Sequence, residues 1–442
     1  MRNGASWTGR DRAPPRAADA PWSGSAAARF HGVRTRSLEL AAPLSPEDCQ
    51  IQSMPDASPV KWHLAHVTWF WETFLLERFE AGFRPFDPAF RVLFNSYYQG
   101  IGEQAVRAAR GLVSRPSLAT VVRFRESVDA RMEALLAERG EEPEIAELVA
   151  IGLNHEQQHQ ELLLTDVKHA LSFGLPDASA YARRWPIAPV RAEPLGWFEH
   201  AGGLVELGHD PARDGDFAFD NETPRHAALA RPFAIASRPA TYGDWLAFME
   251  DGGYARPELW LSMGWDWVRA GRREAPLYWR REGDAWLQHT LQGTVALDPV
   301  TPVCHLSFFE ADAFARWAGA RLPTELEWEL AARASGVPAT HGNFADRGAF
   351  HPMPTEAPAA SAPVQLWGDV WEWTQSAYLP YPGFQAAAGA VGEYNGKFMC
   401  NQFVLRGGSC ATPAGHVRAS YRNFFPPEAQ WQFSGVRLAR DL

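Results

Sequence analysis

Two histidines, His155 and His159, stand four residues apart in a segment that otherwise has the pattern of a long amphipathic helix. Residues at this spacing lie on one face of a helix, about one turn from each other, so the pair can share a metal ion. Two imidazoles are too few for a tight site, and a third ligand must come from elsewhere. Taken alone, the pair is equally compatible with two ordinary surface or core histidines.

An evident source of the third ligand is the segment 62–66, which contains His63 and His66 and is also predicted to be helical. A second helix packed antiparallel against the first could bring one of these side chains to the pair. Three histidines with open coordination positions suit Fe(II) or Zn(II), because imidazole is a borderline ligand and a free position admits a substrate.

These helices belong to a chain of 442 residues, for which two domains are expected. The net charge of −10 argues against a nucleic-acid partner, since phosphate binding requires a basic surface. No apolar run reaches the length of a membrane span. The four cysteines are scattered without zinc or redox spacing, which predicts a protein of the reducing cytoplasm.

Residues 1–35 are rich in Arg, Ala, Pro, Gly and Ser and lack an apolar core, which predicts a disordered tail, with an organelle transit peptide as the alternative. Residues 36–185 are predicted to form a four-helix bundle, a fold that builds metal sites from inward-facing side chains. The predicted helices are 45–54, 58–79, 117–138 and 142–173. Three of them follow a serine suited to an N-cap, namely Ser45, Ser58 and Ser117.

The long connection between the second and third helices contains two adjacent tyrosines, Tyr97 and Tyr98. Loops of more than about 15 residues inside a compact domain are usually functional. The two phenols could therefore offer protons to a metal pocket, or they could simply pack the loop onto the bundle.

A Pro-rich linker, 186–196, precedes a region of different texture at 197–442, with short apolar runs and many Gly and Trp. This texture predicts an irregular α+β domain, with helices near Thr241–Glu250 and Ser307–Gly319. The sequence contains no nucleotide-binding glycine motif and no serine nucleophile elbow.

Motifs of both halves resemble known domains. The second half resembles the formylglycine-generating-enzyme domain, which has a C-type-lectin-like fold, in the stretches 220–226, 321–329, 368–374, 406–409 and 435–437. The segments 64–66 and 155–159 resemble a DinB-type four-helix bundle. In this order, over residues 36–442, the two resemble the iron-dependent sulfoxide synthases of ergothioneine biosynthesis and the closely related selenoneine synthase. The resemblance implies a multi-domain α and α+β protein with Fe(II) as cofactor.

The resemblance also implies roles for individual residues. The iron ligands that it implies are His66, His155 and His159, which excludes His63. Glu161 would orient a ligand from behind, as metal-bound imidazoles usually require. Substrate contacts are implied for Gln158 with the imidazole of hercynine (trimethylhistidine), and for Asn423 and Phe424 with its trimethylammonium and carboxylate end, where an aromatic face is physically suitable.

The residues expected to bind the sulfur donor differ from those of the actinobacterial branch of the family. Phe425 stands where that branch has an aspartate that helps to bind γ-glutamylcysteine. The resemblance therefore implies a smaller donor, such as free cysteine, and makes Tyr97 and Tyr98 the leading proton donors. Arg107 is the candidate partner of a donor carboxylate. Because the surroundings of Arg107 also depart from the family, a selenosugar without a carboxylate remains the alternative.

Taken together, the resemblance implies an Fe(II)- and O2-dependent enzyme that forms a carbon–chalcogen bond at the imidazole C2 of hercynine, with cysteine as the expected donor. Three alternatives stay open: a selenoneine synthase, a DinB-type zinc thiol transferase, and a binding protein without catalysis. A copper-dependent formylglycine-generating activity is disfavoured, because the cysteines offer no evident pair.

Overall fold

The N-terminal half folds as a bundle of four long helices. They are α1 (Ala26–Ala41), α2 (Val60–Trp71), α3 (Leu118–Arg139) and α4 (Pro143–Leu171). Helix α2 continues through a π-helical segment, Glu72–Leu76, into a last helical turn, Glu77–Phe79. The computed structural model describes residues 24–174, 179–182, 194–355, 362–386 and 390–442.

Helix α1 corrects the predicted tail. Residues 1–23 and most of the predicted linker lie outside the described residues, but residues 26–35 are helical, so the prediction of disorder is wrong there. Ser25 caps α1 by accepting a hydrogen bond from the Ala28 amide at 3.3 Å. Phe30, Val33 and Leu40 are buried on one face of α1, and the surrounding Arg, Ala and Gly had hidden this periodicity.

The predicted helix 45–54 is also wrong, because that stretch contains only a 3-10 turn, Asp48–Gln50. Ser45 does accept a hydrogen bond from the Asp48 amide at 3.1 Å, so the capping signal was correct. The turn buries only Cys49, and such a stretch has no apolar face to pack a longer helix onto the bundle.

The other three bundle helices are confirmed to within two or three residues at their starts and ends, with the π-helical segment interrupting the second. Ser117 caps α3 by accepting from the Thr120 amide at 3.2 Å. Ser58 does not cap α2, whose N-cap position is Pro59. A short helix, Phe90–Leu93, and two 3-10 helices, Gln99–Ile101 and Arg107–Leu112, lie in the long connection.

A buried carboxylate, that of Glu156, ties the bundle together one residue after His155. It accepts hydrogen bonds from Arg34 at 3.0 Å and Arg125 at 2.5 Å, and from Ser37 and Trp71. Burial alone would raise the pKa of Glu156, but the two guanidinium groups lower it below its usual range. Because the partners belong to α1, α2 and α3, this network fixes where α4 presents its histidines.

The described residues of the C-terminal half form four longer helices and twelve short strands. The helices are α5 (Tyr242–Glu250), α6 (Ser262–Gly271), α7 (Phe308–Trp317) and α8 (Glu325–Ser335), and a single turn forms at Pro211–Asp214. Thr241 and Ser307 cap α5 and α7 as predicted. No helix within the described ranges has both the length and the apolar character of a membrane span.

The strands form four small sheets. Strands β1 (Trp197–His200), β4 (Phe233–Ala236) and β12 (Ala439–Asp441) make an antiparallel sheet in the order β1-β4-β12. Strands β2 (Gly203–Leu207) and β3 (His226–Ala230) form a hairpin, and β5 (Trp279–Glu282), β6 (Ala285–Thr290) and β7 (Gly293–Ala296) form a meander.

The fourth sheet, in the order β10-β9-β8-β11, faces the bundle. It comprises β8 (Trp371–Ala377), β9 (Phe403–Arg406), β10 (Asn423–Phe425) and β11 (Ser434–Gly435). Strands β8, β9 and β10 pair antiparallel, and β11 adds in parallel to β8. This mixed α and β architecture behind a helical bundle is the predicted fold class. Because β10 carries Asn423–Phe425, the sheet brings the predicted substrate residues to the side that faces α4.

Candidate metal centre and its pocket

The structure brings the three predicted ligands together. His66 projects from α2, and His155 and His159 project from α4, so that one ring nitrogen from each lies within 4.8 Å of the others. The ring centroids of His155 are 5.0 Å from His66 and 4.7 Å from His159. In the part of the chain that the structure describes, no other set of three potential ligands is this close.

The protonation state of these histidines suits the binding of a cation. Burial lowers the pKa of all three, and that of His155 falls to about 3, so the rings are neutral near pH 7 and keep a lone pair. Nε2 of His66 and both ring nitrogens of His155 are buried without a hydrogen-bond partner. An orphaned buried polar atom costs about 1–3 kcal/mol, and a bound divalent ion would satisfy one such nitrogen on each of these two rings. The donor set therefore fits the iron or zinc that the sequence suggested.

His63 lies beside the centre rather than in it. Its Nδ1 is 2.8 Å from Nδ1 of His159, and its Nε2 is 3.0 Å from Oδ2 of Asp166. The group that could hold an ion contains His66 and not His63. The choice of His66 over His63 as a ligand stays a prediction.

Glu161 does not orient a ligand, contrary to the prediction. Its carboxylate accepts hydrogen bonds from three side chains of the C-terminal half: Trp371 at 2.8 Å, Ser409 at 2.5 Å and Thr412 at 2.7 Å. None of these hydrogen bonds reaches His66, His155 or His159. Glu161 instead joins α4 to the second domain.

A cavity of about 300 Å³ opens beside the centre, between the bundle and the C-terminal half. His159, Gln158 and Tyr97 contribute to its wall from the bundle side. The predicted substrate residues of β10 line it from the opposite side: Asn423, Phe424 and Phe425. The structure therefore places the predicted substrate contacts and one of the predicted ligands around a single space.

The two adjacent tyrosines take different positions. Tyr97 lines the cavity, whereas Tyr98 is fully buried outside its wall, with ring centroids 5.6 Å from Trp69 and 5.3 Å from Phe74. Burial raises the pKa of both phenols, so both stay protonated at neutral pH. Of the two, only Tyr97 is placed to give a proton to a molecule in the cavity.

A segment of the C-terminal half holds the tyrosine loop in place. The carboxylate of Glu393 accepts hydrogen bonds from the backbone amides of Gln99 at 2.8 Å and Gly100 at 2.7 Å. Lys397 donates to the Tyr97 carbonyl, and its ammonium lies 4.7 Å from the centroid of the Tyr97 ring. These contacts fix the loop against the second domain with Tyr97 turned inward.

Gln158 begins a hydrogen-bonded chain that the sequence did not reveal. The hydroxyl of Tyr394 donates to Oε1 of Gln158, and Nε2 of Gln158 donates to the hydroxyl of Tyr421 at 2.8 Å. The Tyr421 hydroxyl is 3.0 Å from Nε2 of His416, whose Nδ1 is 3.1 Å from Oε1 of Gln157. Burial lowers the pKa of His416 to about 3, which keeps it neutral. The chain fixes which end of the Gln158 amide faces which neighbour.

Arg107, the predicted partner of a donor carboxylate, lies at the edge of the cavity. It is exposed, and its guanidinium donates to the carbonyl of Asp56 at 2.5 Å. Arg110 is a buried cation of the cavity wall, and burial lowers its pKa to about 9. It donates to the hydroxyls of Ser58 and Ser96, each at 2.9 Å. The spacing in the sequence could not distinguish these two arginines.

Aromatic rings dominate the β10 side of the cavity. The ring of Phe424 stacks on Tyr378 with centroids 4.0 Å apart and also faces Phe398 at 5.9 Å. Phe425 meets Trp431 edge to face at 5.9 Å. Phe424, Phe398, Phe425 and Trp431 all line the cavity, so this wall combines flat apolar faces with the amide of Asn423.

Fold and site together define a class of protein, one in which a DinB-type bundle bearing a three-histidine centre precedes a formylglycine-generating-enzyme-like domain. The DinB superfamily model matches residues 29–163. The model of the sulfatase-modifying factor enzyme 1-like domain matches residues 198–442.

Individual relatives identify the family within this class. The chain is 34% identical to the hercynine oxygenase of Mycolicibacterium thermoresistibile, covering 93% of both chains. It is also 34% identical to the hercynine oxygenase of Mycobacterium tuberculosis, covering 93% of this chain and 97% of that one. Ergothioneine biosynthesis protein 1 of Schizosaccharomyces pombe is 26% identical over 51% of this chain and 28% of its own length. The chain belongs to the hercynine oxygenase family of oxidoreductases, which confirms the resemblance seen in the motifs.

Proposed function

We propose that this protein is a non-haem Fe(II)- and O2-dependent enzyme that joins the sulfur of cysteine to the imidazole C2 of hercynine, as a step of ergothioneine biosynthesis. The observation that carries the proposal is the set of three neutral histidines placed beside a cavity that both domains line. In the overall reaction a C–S bond forms at C2 and the sulfur is oxidised to a sulfoxide. One oxygen atom of O2 enters the sulfoxide, and the other leaves as water with the protons from C2 and the thiol.

His66, His155 and His159 would hold the iron, as the predicted ligands. When bound there, Fe(II) supplies a redox centre with open coordination positions for the two organic partners and O2. The protein supplies orientation, which turns a bimolecular coupling into a positioned one.

The trimethylammonium and carboxylate end of hercynine fits the cavity wall around β10. A trimethylammonium group has no N–H to donate, and cation–π attraction to Phe424 and Phe398 needs none. Gln158 uses its carbonyl for Tyr394 and one amide hydrogen for Tyr421, which leaves one N–H for the substrate imidazole. Asn423 contributes the amide for the carboxylate end of hercynine.

The part of the cavity expected to hold the sulfur donor suits a small molecule. An ammonium group of γ-glutamylcysteine would meet the ring of Phe425, where the actinobacterial relatives provide a carboxylate. We assign the donor carboxylate to Arg110 rather than Arg107, because Arg110 is buried in the cavity wall and each of its terminal nitrogens keeps a second N–H. The phenol of Tyr97, protonated at neutral pH, would deliver a proton during the oxygen chemistry.

A selenosugar is the second candidate donor, and the position of Arg107 favours it. The Arg107 guanidinium is bonded to the Asp56 carbonyl at the edge of the cavity, and a donor without a carboxylate does not need it. The hydroxyls of such a donor could instead bond to polar side chains that line the cavity: Ser58, Ser96, Gln402 and Gln432.

The test is a parallel donor assay. Protein reconstituted anaerobically with Fe(II) is exposed to O2 and hercynine together with cysteine, γ-glutamylcysteine or a selenosugar, and products are identified by mass. The proposal predicts a hercynine–cysteine sulfoxide and little product from the dipeptide. Coupling only to the selenosugar would select the second candidate. Turnover by zinc-loaded protein without O2 would instead support a thiol transferase.

A further inference from the structure

His63 stands in a chain of two hydrogen bonds that ends at a predicted metal ligand. Oδ2 of Asp166 lies 3.0 Å from Nε2 of His63, and Nδ1 of His63 lies 2.8 Å from Nδ1 of His159. His63 and Asp166 are both buried. The same Asp166 oxygen accepts a hydrogen bond from the backbone amide of Ser58 at 2.8 Å, so the far end of the chain is anchored to the start of α2.

The chemistry of these groups sets the direction of both bonds. A carboxylate can only accept, so Nε2 of His63 carries the hydrogen that is donated to Asp166. A neutral His63 then has a bare Nδ1, which can only accept. Two ring nitrogens 2.8 Å apart need one hydrogen between them, and it must therefore belong to Nδ1 of His159. Nε2 of His159 is left with the lone pair that a metal requires.

His66 obtains the same tautomer by a simpler route. Its Nδ1 is 2.6 Å from the carbonyl oxygen of Phe94, to which it donates, and its Nε2 is left without a partner. No backbone carbonyl is bonded to Nδ1 of His159 among the described contacts, so His63 takes the place that Phe94 has for His66. Partners behind a ligand fix its ring orientation and raise its basicity, and losing them typically weakens metal binding 10–100-fold.

We infer that His63 is a positioning residue that holds His159 in the tautomer and orientation needed for metal binding through Nε2, and that Asp166 supports His63 from behind. This inference rests on the proposed metal site. It gives His63 a role other than that of a ligand.

The test uses Co(II), which is a spectroscopic substitute for Fe(II) and needs no substrate or turnover. Co(II) affinity is measured by titration of the visible absorption of wild type, His63→Ala and His63→Asn. Asparagine places an amide oxygen near the position of Nδ1 and can still accept from His159, whereas alanine cannot. His169→Ala is the matched control. Like His63, His169 is a histidine near Asp166, but it lies on α4 and is bonded to Ser53 at 2.7 Å.

We expect His63→Ala to weaken Co(II) binding about 10–100-fold, while His63→Asn and His169→Ala stay within a few-fold of wild type. In proton NMR of the Co(II) protein, the wild type should show a hyperfine-shifted, exchangeable N–H signal from His159, and His63→Ala should lose its protection from exchange. Should His63→Ala fail to fold, His63→Leu fills the same volume without an acceptor and replaces it.

Equal affinity of wild type and His63→Ala, or equal losses in the alanine and asparagine variants, would overturn the inference, since the accepting atom would then not matter. Absence of Co(II) binding by the wild type is a different result. It would reject the metal site itself, and with it the proposed function.

Discussion

The indole N–H of Trp371, in the C-terminal half, donates a hydrogen bond of 2.8 Å to the carboxylate of Glu161 on α4. Glu161 comes two residues after His159, so this bond fixes the metal-binding helix against the domain that supplies the opposite wall of the cavity. The hydroxyls of Ser409 and Thr412 share the same carboxylate. This buried acidic side chain therefore helps to fix the position of the ligands relative to the substrate wall.

Replacing this acid should loosen the two domains. Glu161→Ala leaves the Trp371 N–H buried without a partner, because an indole N–H cannot turn to another acceptor. We expect the free energy of unfolding to fall by about 1–3 kcal/mol, measured by urea denaturation of the metal-free protein. Glu126→Ala, at an exposed acid on α3, is the control and should change little. An equal loss in both variants would show that Glu161 has no special structural role.

Much of the bundle could be predicted from local signals, because helical periodicity and serine or threonine caps depend only on residues that are close in the sequence. The caps at Ser117, Thr241 and Ser307 were placed correctly. Helix α1 was missed because its apolar face is diluted by residues that are typical of disordered tails. The three ligands could be predicted because two short motifs on long helices carry them.

The surroundings of the ligands could not be predicted in the same way. The partners of Glu161 are Trp371, Ser409 and Thr412, which are more than 200 residues away in the sequence. The roles of His63, Tyr394 and His416 depend on which segments pack together, and no local pattern marks them. Arg107 and Arg110 are three apart in one loop, and only the path of the backbone decides which guanidinium is buried.

The position of the two tyrosines gives a sharp prediction for proton delivery. Tyr97→Phe should keep Fe(II) and hercynine binding but lower the rate of sulfoxide formation by about 10²–10⁴, with diversion to oxidised cysteine. Tyr98→Phe should stay close to wild type, because its hydroxyl lies outside the cavity wall. Product ratios of the two variants are measured side by side. The reverse pattern would assign the proton to Tyr98.

The two arginines should differ in their effect on cysteine. Truncating a buried charge that pairs with a substrate carboxylate costs about 2–5 kcal/mol, so Arg110→Ala should raise the KM for cysteine by about 30-fold or more. Arg107→Ala should have only a small effect. Ser96→Ala is the matched control, because it removes a bond made by Arg110 but keeps the charge. A stronger effect in Arg107→Ala would restore the assignment drawn from the sequence.

The neutral state of His416 predicts an acid-sensitive fold. Burial holds its pKa at about 3 in the folded protein, below the ordinary value of 6.5. Between these values the unfolded chain binds a proton that the folded protein does not, so His416 lowers stability as the pH falls through this range. The slope is about 1.4 kcal/mol per pH unit.

His416→Gln removes this titration. Between pH 6.5 and pH 5 the metal-free wild type should therefore lose about 2 kcal/mol more stability than the variant, as measured by urea denaturation at both pH values. His155 also titrates with a lowered pKa, but it is present in both proteins and its contribution cancels. Parallel stability curves for the two proteins would contradict a neutral, buried His416.

The most direct test of the central claim follows the atoms of one reaction. Fe(II)-loaded protein is given hercynine deuterated at the imidazole C2, cysteine and ¹⁸O2, and the product mass is recorded, with His155→Ala as the control. We predict a hercynine–cysteine sulfoxide from the wild type that has lost the C2 deuterium and gained one ¹⁸O atom, and no such product from the variant. The assigned reaction would be contradicted if hercynine were recovered with its deuterium and oxidised cysteine were the sole product.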